Sequence, residues 1–120
     1  GRVLAHEPGR ELSVLAAGEL RLEVPTVPAP VCATVRIQLA AREVILARQR
    51  PQGLSLHNVI EARIAAVEPA DHTALRLVHL EVGTTRLLSL VTADAARTLA
   101  LAPGQPVLAL VKAVAVAAFA

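Results

Sequence analysis

The sequence predicts an all-β protein with one short helix, arranged as two small barrels in tandem. Three observations carry that expectation: short β-rich runs punctuated by turn residues, a chain that repeats itself, and a core that can only be aliphatic. Hydrophobic residues make up 54% of the 120, yet Phe119 is the sole aromatic residue and there is no Trp, Tyr or Met. Val, Leu, Ile and Ala must therefore fill the interior, and such side chains suit stacked strands.

In the first half, Pro8-Gly9, Gly18, the Pro25 to Pro30 stretch and Arg50-Pro51 separate "RVLAHE", "ELSVLAA", "ELRLEV", "VCATVRIQL" and "EVILARQ". Five short strands in about fifty residues describe a small barrel. The second half reads as "NVIEARIAAVE", "ALRLVHLEV", "TRLLSLV", a helix over about residues 93–101, and "PVLALVKAVAV". Thr92 can cap that helix, and Pro103-Gly104 is expected to stop it. Alternation along residues 75–82 is imperfect, as expected where both faces of a strand are partly covered.

The repeat is visible in "GRVLAHEP" (1–8), which matches "ARIAAVEP" (62–69), and in "PVCATVR" (30–36), which matches "PVLALVK" (106–112). The offset grows from 61 to 76 residues between the two matches, with "TADAARTLALAPG" supplying most of the gain. The expected domains are a first barrel over 1–51 and a second over 52–120. Units this small are marginal alone, so they should pack on each other or on a second chain.

Lys plus Arg exceed Asp plus Glu by only 12 to 10, and the charges are scattered, which argues against a general polyanion partner. Single-strand binding by small barrels relies on aromatic platforms, so no nucleic-acid partner is expected. Cys32 stands alone, excludes an intrachain disulfide, and is expected as a small buried core residue in a reducing compartment. The longest apolar run, Pro106 to Ala120, is broken by Lys112 and falls short of the ~20 residues of a membrane helix, so no membrane insertion is expected. Gly1 is not an initiating Met, and the chain is expected to be a piece of something longer.

Three features carry candidate chemistry. Lys112, read as a strand residue, points with Leu108, Leu110, Val114 and Val116, where an ammonium must snorkel to an edge or meet an anion. Thr92 opens a helix whose first N–H groups favour an anion, although simple capping is the commoner role. Ser55, His57 and Asn58 offer a hydroxyl, an imidazole and an amide in one loop, where solvent-facing turn residues are the bland alternative. His6, His57, His72 and His79 lack metal-ligand spacing, no phosphate loop or nucleophile motif is present, and His6, His72 and His79 are expected at the surface or an interface.

Together, "SLHNVIEARIAAVEP" and "TRLLSLVTADAARTLALAPGQPVLALVKAVAV" resemble the Mop, or molybdopterin-binding-like, domain of molybdate-binding proteins, over about residues 54–118. The preceding segment, especially "VRIQLAAREVILARQRPQGLS", resembles the tail of the ATP-binding subunit of molybdate ABC importers, where the domain is also called TOBE. The resemblance implies two tandem OB-fold-like (Mop-like) five-stranded barrels. It further implies that molybdate or tungstate is bound by Ser55, His57, Asn58, Thr92 and Lys112, with no cofactor and no metal ligand or catalytic residue. His57 stands where the family has Arg, leaving a donor that is cationic only below about pH 6.5. Ala95 replaces a second hydroxyl of some relatives, and Arg36 is the first-half counterpart of Lys112 in the matched segments.

By the same resemblance the chain is a non-catalytic regulatory domain, forming a homodimer through its barrels. It would be joined to a nucleotide-binding domain of the same chain, contact a transmembrane permease subunit, and lie in the cytoplasm at the inner face of the membrane. The alternatives are a stand-alone molybdate-storage protein, the sensor domain of a molybdate-responsive transcription regulator, or a dimerisation module without ligand.

Overall fold

The computed structural model describes residues 1–70 and 74–119, and His72 lies outside the described residues. Ten strands, one helix and three 3-10 turns are present among the described residues. The first half supplies β1 (Arg2–Glu7), β2 (Leu12–Ala17), β3 (Leu20–Pro25), β4 (Arg36–Gln38) and β5 (Ile45–Ala47). The second supplies β6 (Asn58–Pro69), β7 (Leu75–Val82), β8 (Thr85–Thr92), α1 (Ala93–Thr98), β9 (Pro106–Val111) and β10 (Ala117–Phe119). The all-β class with one short helix is as the sequence predicts.

The two halves share one design. In β1 the pairing with β2 slips between Val3 and Ala5, and in β6 the pairing with β7 slips between Ile64 and Ala66, so a bulge recurs at the same place in the repeat. Hairpins turning at Gly18-Glu19 and Gly83-Thr84 follow, and Val3 faces Leu15 as Ile64 faces Leu80. Val3 N–H donates to Ala33 O as Ile64 N–H donates to Gln105 O, and Cys32 N–H to Val3 O as Gly104 N–H to Ile64 O.

Those bonds set the second part of the repeat at an offset of 72 residues, and correct the 76 that residue identity suggests. The 3-10 turn Ala41–Glu43 then corresponds to Ala113–Ala115, and β5 to β10. Ala40, not Arg36, therefore occupies the place of Lys112: both precede a 3-10 turn with near-identical backbone angles. Arg36 is the end pair of the β4–β10 ladder, opposite Phe119, with its guanidinium over the Phe119 ring, 5.5 Å from the centroid.

The halves also exchange their last strands. β5 pairs with β9 in the five-stranded sheet β5-β9-β6-β7-β8, while β10 pairs with β4 beside the sheet β1-β2-β3, which the Arg2–Thr34 bridge joins. The chain crosses between halves at the two 3-10 turns. The expected boundary at 51/52 falls in the connection between β5 and β6, but hydrogen bonding does not stop there. One buried cluster runs through both halves, from Val3, Leu15 and Leu22 to Ile64, Leu80, Ala109 and Val111.

The hairpin tips lock the halves together. Thr84 donates its N–H and hydroxyl to the Glu19 carboxylate (3.1 and 2.8 Å), and Glu19 N–H donates to the Thr85 hydroxyl oxygen (2.8 Å). Gly83 has a φ of 61°, and a Cβ there would collide with the Glu19 carboxylate.

Two local expectations are corrected. The helix stops at Thr98, because Ala100 takes a left-handed conformation and Leu101 N–H reaches back to Ala96 O, closing the helix before Pro103-Gly104. Cys32 is exposed rather than buried, and sits at a φ of 73° in the position its repeat partner fills with Gly104.

Candidate functional site

β6 is the element that organises the candidate residues. Its inward positions alternate as Asn58, Ile60, Ala62 and Ile64, all buried, so Asn58 belongs to the interior parity of the strand. There its amide does structural work. Asn58 Oδ1 accepts from Glu23 N–H (2.7 Å) and Nδ2 donates to Glu23 O (2.9 Å), so the side chain stands in for a neighbouring strand and clamps β3 to the start of β6. One amide N–H remains to offer, since a carboxamide carries two.

Ser55 and His57 lie in the exposed connection before β6. Lys112 lies just beyond β9, and Asn58 opposes Val111 across the ladder, so the loop and the lysine come together at one end of the sheet. The expected continuous strand over 106–116 does not form: the chain leaves β9 at Val111, and Lys112 opens a 3-10 turn as an exposed residue. It does not continue the face of Leu108 and Leu110 to Val114 and Val116. Among the described residues, the side chains of Ser55, His57 and Lys112 have no hydrogen-bond or ion-pair partner within the chain.

Charge on the neighbouring β3 is already balanced. The Glu23 carboxylate is held by Arg10, which Glu7 shares at 3.0 Å, and these hydrogen bonds, that of Glu23 foremost, raise the Arg10 guanidinium above its ordinary range.

Thr92 is at the other end. It faces Leu75 in the β7–β8 ladder, and β7 meets β6 near Pro69. With about 3.3 Å per residue, the far ends of the 12-residue β6 lie on the order of 35 Å apart along the strand. The Thr92 hydroxyl oxygen accepts from Ala95 N–H (3.0 Å), the capping bond that the sequence implies, and keeps its own proton to donate. One chain thus brings Ser55, His57, Asn58 and Lys112 together and holds Thr92 apart from them.

The other histidines are accounted for within the fold. His6 is partly buried between the Ser13 hydroxyl (2.8 Å) and Ala29 O (2.9 Å), and His79 pairs with Glu68 (2.8 Å). Among the described residues no cluster of His, Cys, Asp or Glu could hold a metal ion, and no helix is long and apolar enough to cross a membrane. A groove of about 490 Å³ on the outer face, lined by Arg48, Glu61, Arg63, Glu81 and Pro106 among others, contains none of the five candidates. Its cations and carboxylates alternate, the pattern of a solvated sheet face, and composition gave no sign of it.

Comparison with known proteins follows the same lines. The family model described as the TOBE domain matches residues 54–118. The chain is 37% identical over 95% of its length to a molybdenum import ATP-binding protein, ModC, of Albidiferax ferrireducens, and 41% identical over 72% to that of Methylococcus capsulatus. It spans about a third of the length of the first of these relatives and a quarter of the second: 31% and 24%. Among solved structures, a cytoplasmic molybdate-binding protein, ModG, with molybdate bound, superposes with a TM-score of 0.76 at 22% identity, over 90% of this chain and 81% of that one. That likeness extends the shared fold to the first half, beyond the residues that the family model matches. A match over more than half of the chain, with relatives across nearly all of it, makes this chain a member of the TOBE-domain family.

Proposed function

We propose that the chain is the oxyanion-binding part of a molybdate importer's ATP-binding subunit, and that it holds molybdate or tungstate between two copies of itself. The observation that carries this is that Ser55, His57 and Lys112, whose side chains have no partner among the described residues, lie at the end of β6 where Asn58 is fixed by the Glu23 backbone. A tetrahedral dianion asks for many hydrogen-bond donors and a cation and needs no covalent bond, which is what this end offers.

Thr92 joins the site only from a second copy. Two chains side by side in opposite directions would set each Thr92 hydroxyl against the other's Ser55 to Lys112 end, giving a two-fold dimer with two equivalent sites. Exposed Leu54 (55%) in the same loop and Val114 (73%) in the adjoining turn supply apolar surface for such a contact. Ala40 in the place of Lys112 leaves the first half without the matching cation, which supports one site per chain and none built on Arg36.

The regulatory reading follows from linkage. A ligand that binds the paired arrangement better than the alternative shifts the whole assembly toward it, so cytoplasmic oxyanion would hold the attached nucleotide-binding domains in a state that slows import through the permease subunit. ATP hydrolysis belongs, on this reading, to the longer protein's nucleotide-binding domain at the inner membrane face. A stand-alone storage role is the second reading, favoured by the 81% of the molybdate-bound ModG chain that superposes here.

Calorimetric titration with molybdate, tungstate and sulfate tests the proposal. Molybdate or tungstate should bind, and Lys112→Ala should weaken binding by ten-fold or more, on the order of the 1.5–3 kcal/mol of a charged hydrogen bond, with the barrels still folded. Unchanged affinity in that variant would make Lys112 a bystander and misplace the site.

A further inference from the structure

The outer face of the β7–β8 hairpin is apolar where a sheet face open to water is usually polar. Val78 opposes Ser89 and Leu80 opposes Leu87, all four buried, so the alternate pairs Leu75–Thr92, Leu77–Leu90, His79–Leu88 and Glu81–Arg86 point outward. Four leucines thus gather on one side of the hairpin, with Leu88 41% exposed and Leu75, Leu77 and Leu90 half-buried. A single apolar side chain on a surface needs no explanation, but a contiguous set marks a contact.

The first half carries the same surface in a different form. Leu15 faces Leu22 as Leu80 faces Leu87, so the pair Val14–Glu23 corresponds to His79–Leu88, and Leu12–Pro25 to Leu77–Leu90. Where the second half exposes Leu88, the first half has Glu23, bound by Arg10 together with Glu7. The scaffold therefore accepts a solvated ion network at this position, and the second half presents leucine there instead.

The position of Thr92 bears on what covers the leucines. Thr92 ends the same face, opposite Leu75, and its hydroxyl keeps a proton to donate. On the oxyanion reading above, on which this inference rests, that hydroxyl serves the Ser55 to Lys112 end of a second copy. That end brings exposed Leu54 and Val114 with it. We infer that the leucine face of β7 and β8 is the seat for the Leu54 and Val114 end of a second copy of this chain, each copy covering the other's face about one two-fold axis. The rim sets no unpaired charge against that contact, since Glu68 is held by His79 (2.8 Å) and Glu81 by Arg86 (3.6 Å). Burial of the leucines drives the association. Because the same contact delivers Thr92 to the oxyanion, pairing of the chains and binding of the ligand strengthen one another.

Sedimentation equilibrium of the 120-residue chain, with and without sodium molybdate, tests the seat against Leu88→Glu, Leu88→Thr and a similarly exposed control in the first half, Val31→Glu (Val31 is 49% exposed). Leu88→Glu introduces the residue type of the repeat counterpart and should weaken the dimer on the order of a hundred-fold, because the two-fold buries the new carboxylate twice. Leu88→Thr, which keeps a β-branched side chain suited to a strand, should weaken it on the order of ten-fold. Val31→Glu should leave it unchanged, and far-UV circular dichroism should show all three variants folded. A wild-type dimer that both Leu88 variants leave intact overturns the seat, and molybdate binding by that same dimer keeps the oxyanion reading standing. A wild type that stays monomeric at high protein concentration with molybdate present also overturns it, and gives the face to another occupant such as the rest of a longer chain. Dissociation by the Leu88 variants of a dimer that binds no molybdate would support the seat by itself and remove the oxyanion reading.

Discussion

Replacing Asn58 by alanine removes both hydrogen bonds that clamp β3 to β6 and leaves the Glu23 N–H and C=O without their partner. Each neutral hydrogen bond contributes roughly 0.5–1.5 kcal/mol, and a buried backbone group left unsatisfied costs about 1–3 kcal/mol. Asn58 is 4% exposed, but β3 is an edge strand that water can reach once the amide is gone. The expected loss is therefore ~2–3 kcal/mol rather than the full sum. For a chain of this length that lowers the melting temperature by roughly 10 °C. Thermal and urea unfolding followed by far-UV circular dichroism measure it directly. Asn58→Asp sharpens the test: it keeps the acceptor for Glu23 N–H but sets a carboxylate oxygen against Glu23 O, so it should be at least as destabilised near neutral pH and recover in acid, where the protonated group can donate. A loss below about 0.5 kcal/mol in the alanine variant, with oxyanion binding abolished, would refute the clamp and make Asn58 a ligand residue alone.

Two further predictions concern the joints of the fold. Hydrogen bonds from the backbone N–H and then the hydroxyl of Thr84 hold the Glu19 carboxyl below its ordinary value of 4.5, so Glu19 contributes stability that is present above that pH and is lost as pH falls through the lowered value. The difference in unfolding midpoint between wild type and Glu19→Gln should accordingly shrink from pH 7 to pH 3.5, and a constant difference would contradict it. Cys32→Gly should raise stability by about 0.5–1 kcal/mol, because relief of a left-handed φ at a non-glycine residue outweighs the added freedom of the unfolded chain; a lower urea midpoint would show that the exposed thiol has an unrecognised role.

Strand positions were legible because turn residues bracket them: β1 to β3 and β6 to β8 fall within a residue or two of the runs read between Pro and Gly signals. The end of β9 was not, since "VKAVAV" contains no turn residue and its 3-10 turn is imposed by the last strand crossing to β4. The slipped repeat has a related cause: in a chain of Val, Leu and Ala, chance identity aligned Arg36 with Lys112, while backbone bonds align Ala40 with it. Asn58 could have been read better. Its parity with Ile60, Ala62 and Ile64 already placed it inside, where an amide must find partners of its own.

The central claim is that one site is built from two chains, and complementation between variants tests it most directly. Lys112→Ala and Thr92→Val are each prepared alone, shown by calorimetry to bind molybdate weakly, and then mixed in equal amounts with subunit exchange. A mixed dimer joins the intact Lys112 of one chain to the intact Thr92 of the other, so the mixture should recover roughly a quarter of the wild-type sites at wild-type affinity. No recovery in a mixture shown to contain mixed dimers would contradict the account, and would place Lys112 and Thr92 in separate sites or outside any site.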